Sequence, residues 1–149
     1  MRIGFLLTLG FSEGKTKHLL READLMRHLH HENILRLFDV QYERRGNTGG
    51  VKLFLITEYC GGGDMSKLPK PLPEETCRVY FRQIFAGLRY LRMKHIVHRD
   101  IKAANILLTS DGVVKVADFT FSMVKGDNEV MQTLCGTPLC LSAEVLLGN

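Results

Sequence analysis

The chain has 149 residues, 45% apolar and 24% charged, a composition that excludes disorder and collagen-like repeats and allows one sizeable core. Its 20 Lys and Arg against 16 Asp and Glu leave a formal charge of +4, a loose attraction to anions that makes no case for a nucleic-acid partner. No apolar run reaches the ~18 residues needed to cross a membrane. In the opening MRIGFLLTLGF one Arg precedes an apolar stretch, but charged SEGKTK follows where a secretory leader would have a small-residue cleavage site, so a buried strand or a truncated start is expected. Leu19, Ala23, Met26 and Leu29 then recur at helical spacing and predict an amphipathic helix over 15–30. Two β-rich runs follow, Ile34 to Val40 and Val51 to Glu58, around ERRGNTGG, whose Gly and Asn suit a hairpin loop. The glycines and prolines of GGGDMSKLPKPLP make it a connector.

After Pro73, Glu74 and Glu75 suit a helix N-terminus, where carboxylates meet the positive end of the dipole. Cys77, Phe81, Ile84, Leu88 and Leu91 form one apolar stripe expected to face a core, while Arg78, Arg82, Arg89 and Arg92 make a solvated exterior. Short apolar pieces come next: Ile96-Val97, Ile106 to Leu108, and Val113 to Ala117, the last two joined by a tight Ser110-Asp111-Gly112 turn. From Thr120 to Pro138 no period is visible, and a long loop is expected. Cys60, Cys77, Cys135 and Cys140 lack Cys-x-x-Cys spacing and read as free thiols in a reducing compartment, the cytoplasm. His28 and His31 lie three apart on a helix, but no Cys or carboxylate set completes a tetrahedral metal site.

The chemistry concentrates in His98-Arg99-Asp100-Ile101-Lys102-Ala103-Ala104-Asn105, followed thirteen residues after Asn105 by Asp118-Phe119. This pair of segments resembles the catalytic loop H-R-D-L-x-x-x-N of the protein kinases, with Ile at the Leu position, and the start of their D-F-G. Phosphoryl transfer needs the phosphates held, their charge neutralised and the hydroxyl aimed. The resemblance implies that Asp100 orients or accepts the substrate hydroxyl proton. Asn105 and Asp118 would supply the hard oxygens that Mg²⁺ prefers, and Lys102 a point charge near the transferring group. The hairpin between Asn105 and Asp118 would bring both to one metal.

The likeness runs from about Leu19 to Leu147. READLMRHLHHENILRL resembles the regulatory helix of the small lobe, with Glu22 as its glutamate. LFLITEYCGGGDM resembles the last small-lobe strand and the hinge, where Thr57 would be the gatekeeper, Glu58 and Cys60 would offer backbone groups to adenine, and Asp64 would sit near the ribose. TLCGTPLCLSAEVL resembles the end of an activation segment, with Thr133 as a phosphorylation site that Arg99 could pair with. Lys102 follows the serine/threonine pattern, and YCGGGDM with TLCGTP looks most like the autophagy-initiating kinases. The implied architecture is α+β and kinase-like: a truncated small lobe over 1–57, a hinge over 58–64 and an incomplete, mainly helical large lobe over 65–149. ATP and Mg²⁺ would be the cofactors, a protein bearing Ser or Thr the substrate, and regulatory proteins further partners.

Departures accompany these matches. No Gly-rich nucleotide loop is present, and MRIGFLLTL, in the place of the strand that should carry a lysine facing Glu22, contains none; Lys15 and Lys17 lie on or just before the helix itself. Thr120 replaces the Gly of D-F-G, and its β-branch is expected to resist a positive φ and restrict Asp118. Ala143 replaces the Pro of A-P-E. These departures weigh against independent catalysis, so a non-catalytic kinase-derived binding fragment is the second expectation and an incomplete gene product the third. A P-loop NTPase is a further alternative: Gly10-Phe11-Ser12-Glu13-Gly14-Lys15-Thr16 follows an apolar run, although it is one residue short between its glycines.

Overall fold

The computed structural model describes residues 3–9, 13–45 and 50–124, with side chains over 20–42 and 54–124. Strand β1 (Ile3–Leu9) leads into helix α1 (Glu13–Arg27), and β2 (Leu37–Arg45) and β3 (Gly50–Glu58) form a hairpin. The sheet is antiparallel in the order β1-β3-β2, so β3 is paired on both sides. Central placement suits its apolar run, and the alternate residues Leu55 and Thr57 are fully buried. Of the expected stripe, Ala23, Met26 and Leu29 are buried while Leu20 is half exposed, and the Leu19 side chain lies outside the described residues. The helix ends at Arg27, three residues early, and the His28 and Leu29 amides bond back to Leu25 and Met26 in a tighter turn.

The expected strand from Ile34 to Val40 is split. Val116 donates its amide to Asn33 and accepts that of Leu35, both at 2.9 Å, so Ile34 bridges Val116 in parallel and cannot join β3. Pairing with β3 begins at Leu37, shifts register before Asp39, and continues to Arg45 opposite Gly50.

The rear of the chain contains β4 (Gly63–Asp64), a 3₁₀ turn (Met65–Lys67), helix α2 (Glu74–Met93), β5 (Ile96–Val97) and a second 3₁₀ turn (Ala103–Asn105). Then come β6 (Ile106–Leu108), β7 (Val114–Val116) and β8 (Met123–Val124). One antiparallel sheet has the order β4-β6-β7, and β5 pairs with β8. The expected turn joins β6 to β7, with Gly112 at φ +78. The loop expected from Thr120 therefore starts as a turn and a strand; residues from 125 lie outside the described set. The P-loop alternative is overturned, since β1 lies in an antiparallel sheet and β7 in a different one.

Helix α2 begins at Glu74 and exposes Arg78, Arg82, Arg89 and Arg92 as expected. Of its expected apolar stripe, Leu91 is buried and Cys77, Ile84 and Leu88 are half-buried, but Phe81 is corrected: it is 58% exposed, its ring 6.2 Å from that of Phe85, itself 63% exposed. Gly87 is buried beside them, and Tyr80 is half-buried against the core. The reason is Gly87: a Cβ there would stand 2.9 Å from the Asn33 carbonyl and 3.3 Å from Ile34, so the line of closest approach runs through Ile84, Gly87 and Leu91. That line turns Phe81 and Phe85 toward solvent.

Candidate active site

Two strands and a turn build the site. Arg99, just after β5, has φ +67 and donates from Nε to the Phe121 carbonyl at 2.6 Å. His98 is buried, donates from Nε2 to the Ala117 carbonyl at 3.0 Å and accepts the Asp100 amide at Nδ1. Burial pushes its pKa down, in keeping with this neutral tautomer, and its ring packs 4.9 Å from that of Phe119. His98 thus ties the loop to the segment after β7.

Asp100 is 3% exposed, and its Oδ2 accepts Lys102 Nζ at 2.8 Å and Asn105 Nδ2 at 2.9 Å. Nδ2 also donates to the Asp100 carbonyl, so both amide protons of Asn105 are engaged and Oδ1 is left as an acceptor. The β6–β7 register continues in a bond from the Ala117 amide to the Asn105 carbonyl at 2.9 Å, which sets Asp118 beside Asn105. Asp118 sits at φ +65, and its Oδ1 accepts the Thr120 hydroxyl at 2.7 Å and the Thr120 amide at 3.4 Å. Among the described residues its Oδ2 has no hydrogen-bond partner. Asn105 Oδ1 and Asp118 Oδ2 are therefore two hard oxygens of the kind that could hold a cation such as Mg²⁺. No group of three His, Cys, Asp or Glu suited to a metal occurs among the described residues.

Glu22 is buried on α1, and among the described residues no cation faces it. Its Oε1 accepts the Phe119 amide at 3.1 Å, and its Oε2 lies 2.9 Å from Thr120 Oγ1. The one hydroxyl proton is shared between two carboxyl groups, Oε2 of Glu22 and Oδ1 of Asp118. Burial, with the Asp118 charge adding, pushes the Glu22 carboxyl up from its ordinary value. An acid so raised holds its proton in the folded chain over a window where the unfolded chain has lost it. Stability from this group is thus full below the ordinary value and lost as pH rises through the raised one. Glu22→Gln mimics the protonated form and cannot titrate. Urea melts from pH 4 to 8 should show the variant gaining on the parent as pH rises, by ~1.4 kcal/mol for each unit of full proton difference. Parallel curves would exclude a raised carboxyl.

The other predicted residues are more scattered. Glu58 ends β3 and is fixed twice, by the Arg36 amide and by Lys115 Nζ, each at 2.8 Å. The buried Thr57 donates its hydroxyl to the Glu58 carbonyl. Burial, with Glu58 nearby, raises the Cys60 thiol to about 11, so it is an inert thiol at neutral pH. Asp64 caps the first 3₁₀ turn, accepting from Ser66 and pairing with Lys67 at 2.9 Å, so both its oxygens are engaged locally. Thr133 lies outside the described residues. The positive φ expected at Thr120 falls at Asp118, a residue type that tolerates it, so the steric cost expected of the β-branch does not arise. Sequence reasoning missed Gln83, whose Oε1 accepts from Asn33 Nδ2 and the Val114 amide, and it read Thr120 only as a liability. An amide side chain on the buried side of α2 was the available signal for Gln83.

The protein kinase domain model matches residues 8–149. The chain is 38% identical over 137 residues to serine/threonine-protein kinase atg1 of Dictyostelium discoideum, covering 88% of this chain and 20% of that one. It is 35% identical over 148 residues to human serine/threonine-protein kinase ULK1, covering 91% and 14%. An Aurora kinase of Dictyostelium discoideum is 41% identical over 131 residues, covering 86% and 32%. The chain thus spans less than a third of the length of these relatives. The first two agree with the resemblance to the autophagy-initiating branch.

Proposed function

Because the chain belongs to the protein kinase family, we propose that it serves transfer of the terminal phosphoryl group of ATP, as its Mg²⁺ complex, to a Ser or Thr of a protein substrate. In this reading residues 1–57 are the small-lobe part, 58–64 the hinge and 65–149 the large-lobe part. Bound Mg²⁺ would neutralise phosphate charge. Asp100 would take the hydroxyl proton, Lys102 would hold that carboxylate and stand near the phosphoryl group, and Asn105 and Asp118 would face the metal. Backbone groups of Glu58 and Cys60 would meet adenine, and Asp64 would reach the ribose only by giving up a contact to Ser66 or Lys67. Phosphorylated Thr133 would pair with Arg99, and regulatory proteins would be further partners. The free thiols of Cys60 and Cys77 support a cytoplasmic setting, and no helix among the described residues is long and apolar enough to cross a membrane.

The observation that carries the reading is the Asp100 carboxylate pinned by Lys102 and Asn105, one cross-strand bond from Asp118. Calorimetric titration with ATP tests it. Binding should require Mg²⁺, and Asp118→Asn should weaken it ~10-fold or more, the effect of losing one charged contact. Binding indifferent to both would defeat the proposal. A second reading, nucleotide or partner binding without transfer, is favoured by Glu22, which meets a hydroxyl and an amide where a phosphate-anchoring lysine would pair.

A further inference from the structure

The residue at the third position of Asp118-Phe119-Thr120 makes contacts that a glycine could not make. Thr120 Oγ1 lies 2.7 Å from Asp118 Oδ1 and 2.9 Å from Glu22 Oε2, so one hydroxyl joins a carboxylate of the loop to a carboxylate of α1. Beneath it the Phe119 amide is fastened to the other oxygen of Glu22, and the Phe119 ring is 1% exposed. The hydroxyl therefore sits on a rigid base, and Asp118, at φ +65, is held where a free carboxylate would rotate. Since Oδ1 is engaged, the open Oδ2 points to one fixed place.

We propose that Thr120 is a positioning residue whose hydroxyl clamps Asp118 to Glu22 and so presents the free oxygen of Asp118 to the metal. The clamp makes the aim of Asp118 depend on the seating of α1. Its consequence for metal binding rests on the kinase reading above; the clamp itself does not.

The test compares Thr120→Val, which keeps the shape and loses the hydroxyl, with Thr120→Ser, which keeps the hydroxyl, and Thr120→Gly, which removes the side chain without adding a branch. Two quantities are read on the 149-residue chain: exchange of the Phe119 amide by NMR, and Mn²⁺ affinity in the presence of ADP by water-proton relaxation. Valine and glycine should speed exchange and weaken Mn²⁺ by ~5-fold or more, the size expected for one hydrogen bond, while serine stays within about twofold of the parent. Valine indistinguishable from the parent, or serine no better than valine, overturns the clamp. Faster exchange with unchanged Mn²⁺ affinity overturns its positioning role. If the parent binds no Mn²⁺ with ADP, the kinase reading fails, and exchange alone decides the clamp.

Discussion

Replacing Asp100 by Asn should lower Mg²⁺-dependent transfer from ATP to a Ser/Thr peptide library by about 10²- to 10⁴-fold, the usual worth of a positioned proton acceptor. The oxygen at stake is already engaged by two donors, Lys102 Nζ and Asn105 Nδ2. An amide in its place either turns an NH₂ toward those donors or keeps its oxygen there, and in both cases offers no basic site to the substrate. Nucleotide affinity should stay close to that of the parent, since Asp118 and the β6–β7 register are untouched. Labelled γ-phosphate incorporation measures the first effect and calorimetry the second. An unchanged rate removes Asp100 from its role, whereas a parent that binds Mg²⁺–ATP and transfers nothing establishes the non-catalytic reading.

The second large effect concerns stability. Gly87→Leu should cost ~3 kcal/mol or more in a urea melt, the upper end of overpacking penalties. The added Cβ would meet the Asn33 carbonyl at 2.9 Å, Ile34 at 3.3 Å and Val116 at 3.4 Å. The carbonyl cannot retreat cheaply, because it accepts the Val116 amide. Gly87→Ala should be milder, near 1 kcal/mol, because ~1 kcal/mol of helix propensity offsets the clash. Because β7 leads directly to Asp118, the leucine variant should also weaken Mg²⁺-dependent nucleotide binding. A melt unchanged by leucine would mean that α2 does not pack as closely as Gly87 allows.

What could be read from the residues was what short range decides. The α1 stripe, the turn at Gly112 and the loop from His98 to Asn105 each follow from spacing within about ten residues. The missed features depend on partners far along the chain. Ile34 looked like strand, but Val116 claims its backbone neighbours. Phe81 fitted the helical period, yet Gly87 sets the line of contact two turns later and leaves Phe81 in water. Thr120 raised a steric objection in sequence, and the fold answers it by moving the positive φ to Asp118 and using the hydroxyl. Asp64 has a capping role that its neighbours Ser66 and Lys67 could have suggested.

The paired backbone bonds between Val116 and residues 33 and 35, with the Lys115–Glu58 ion pair beside them, fasten the front of the chain to β7. Any rocking of the front sheet that leaves these fastenings intact must swing about them, and displacement grows with the length of the lever arm. Points close to those fastenings, such as Glu58, would then travel least, and Arg45 and Gly50, at the far ends of β2 and β3, furthest.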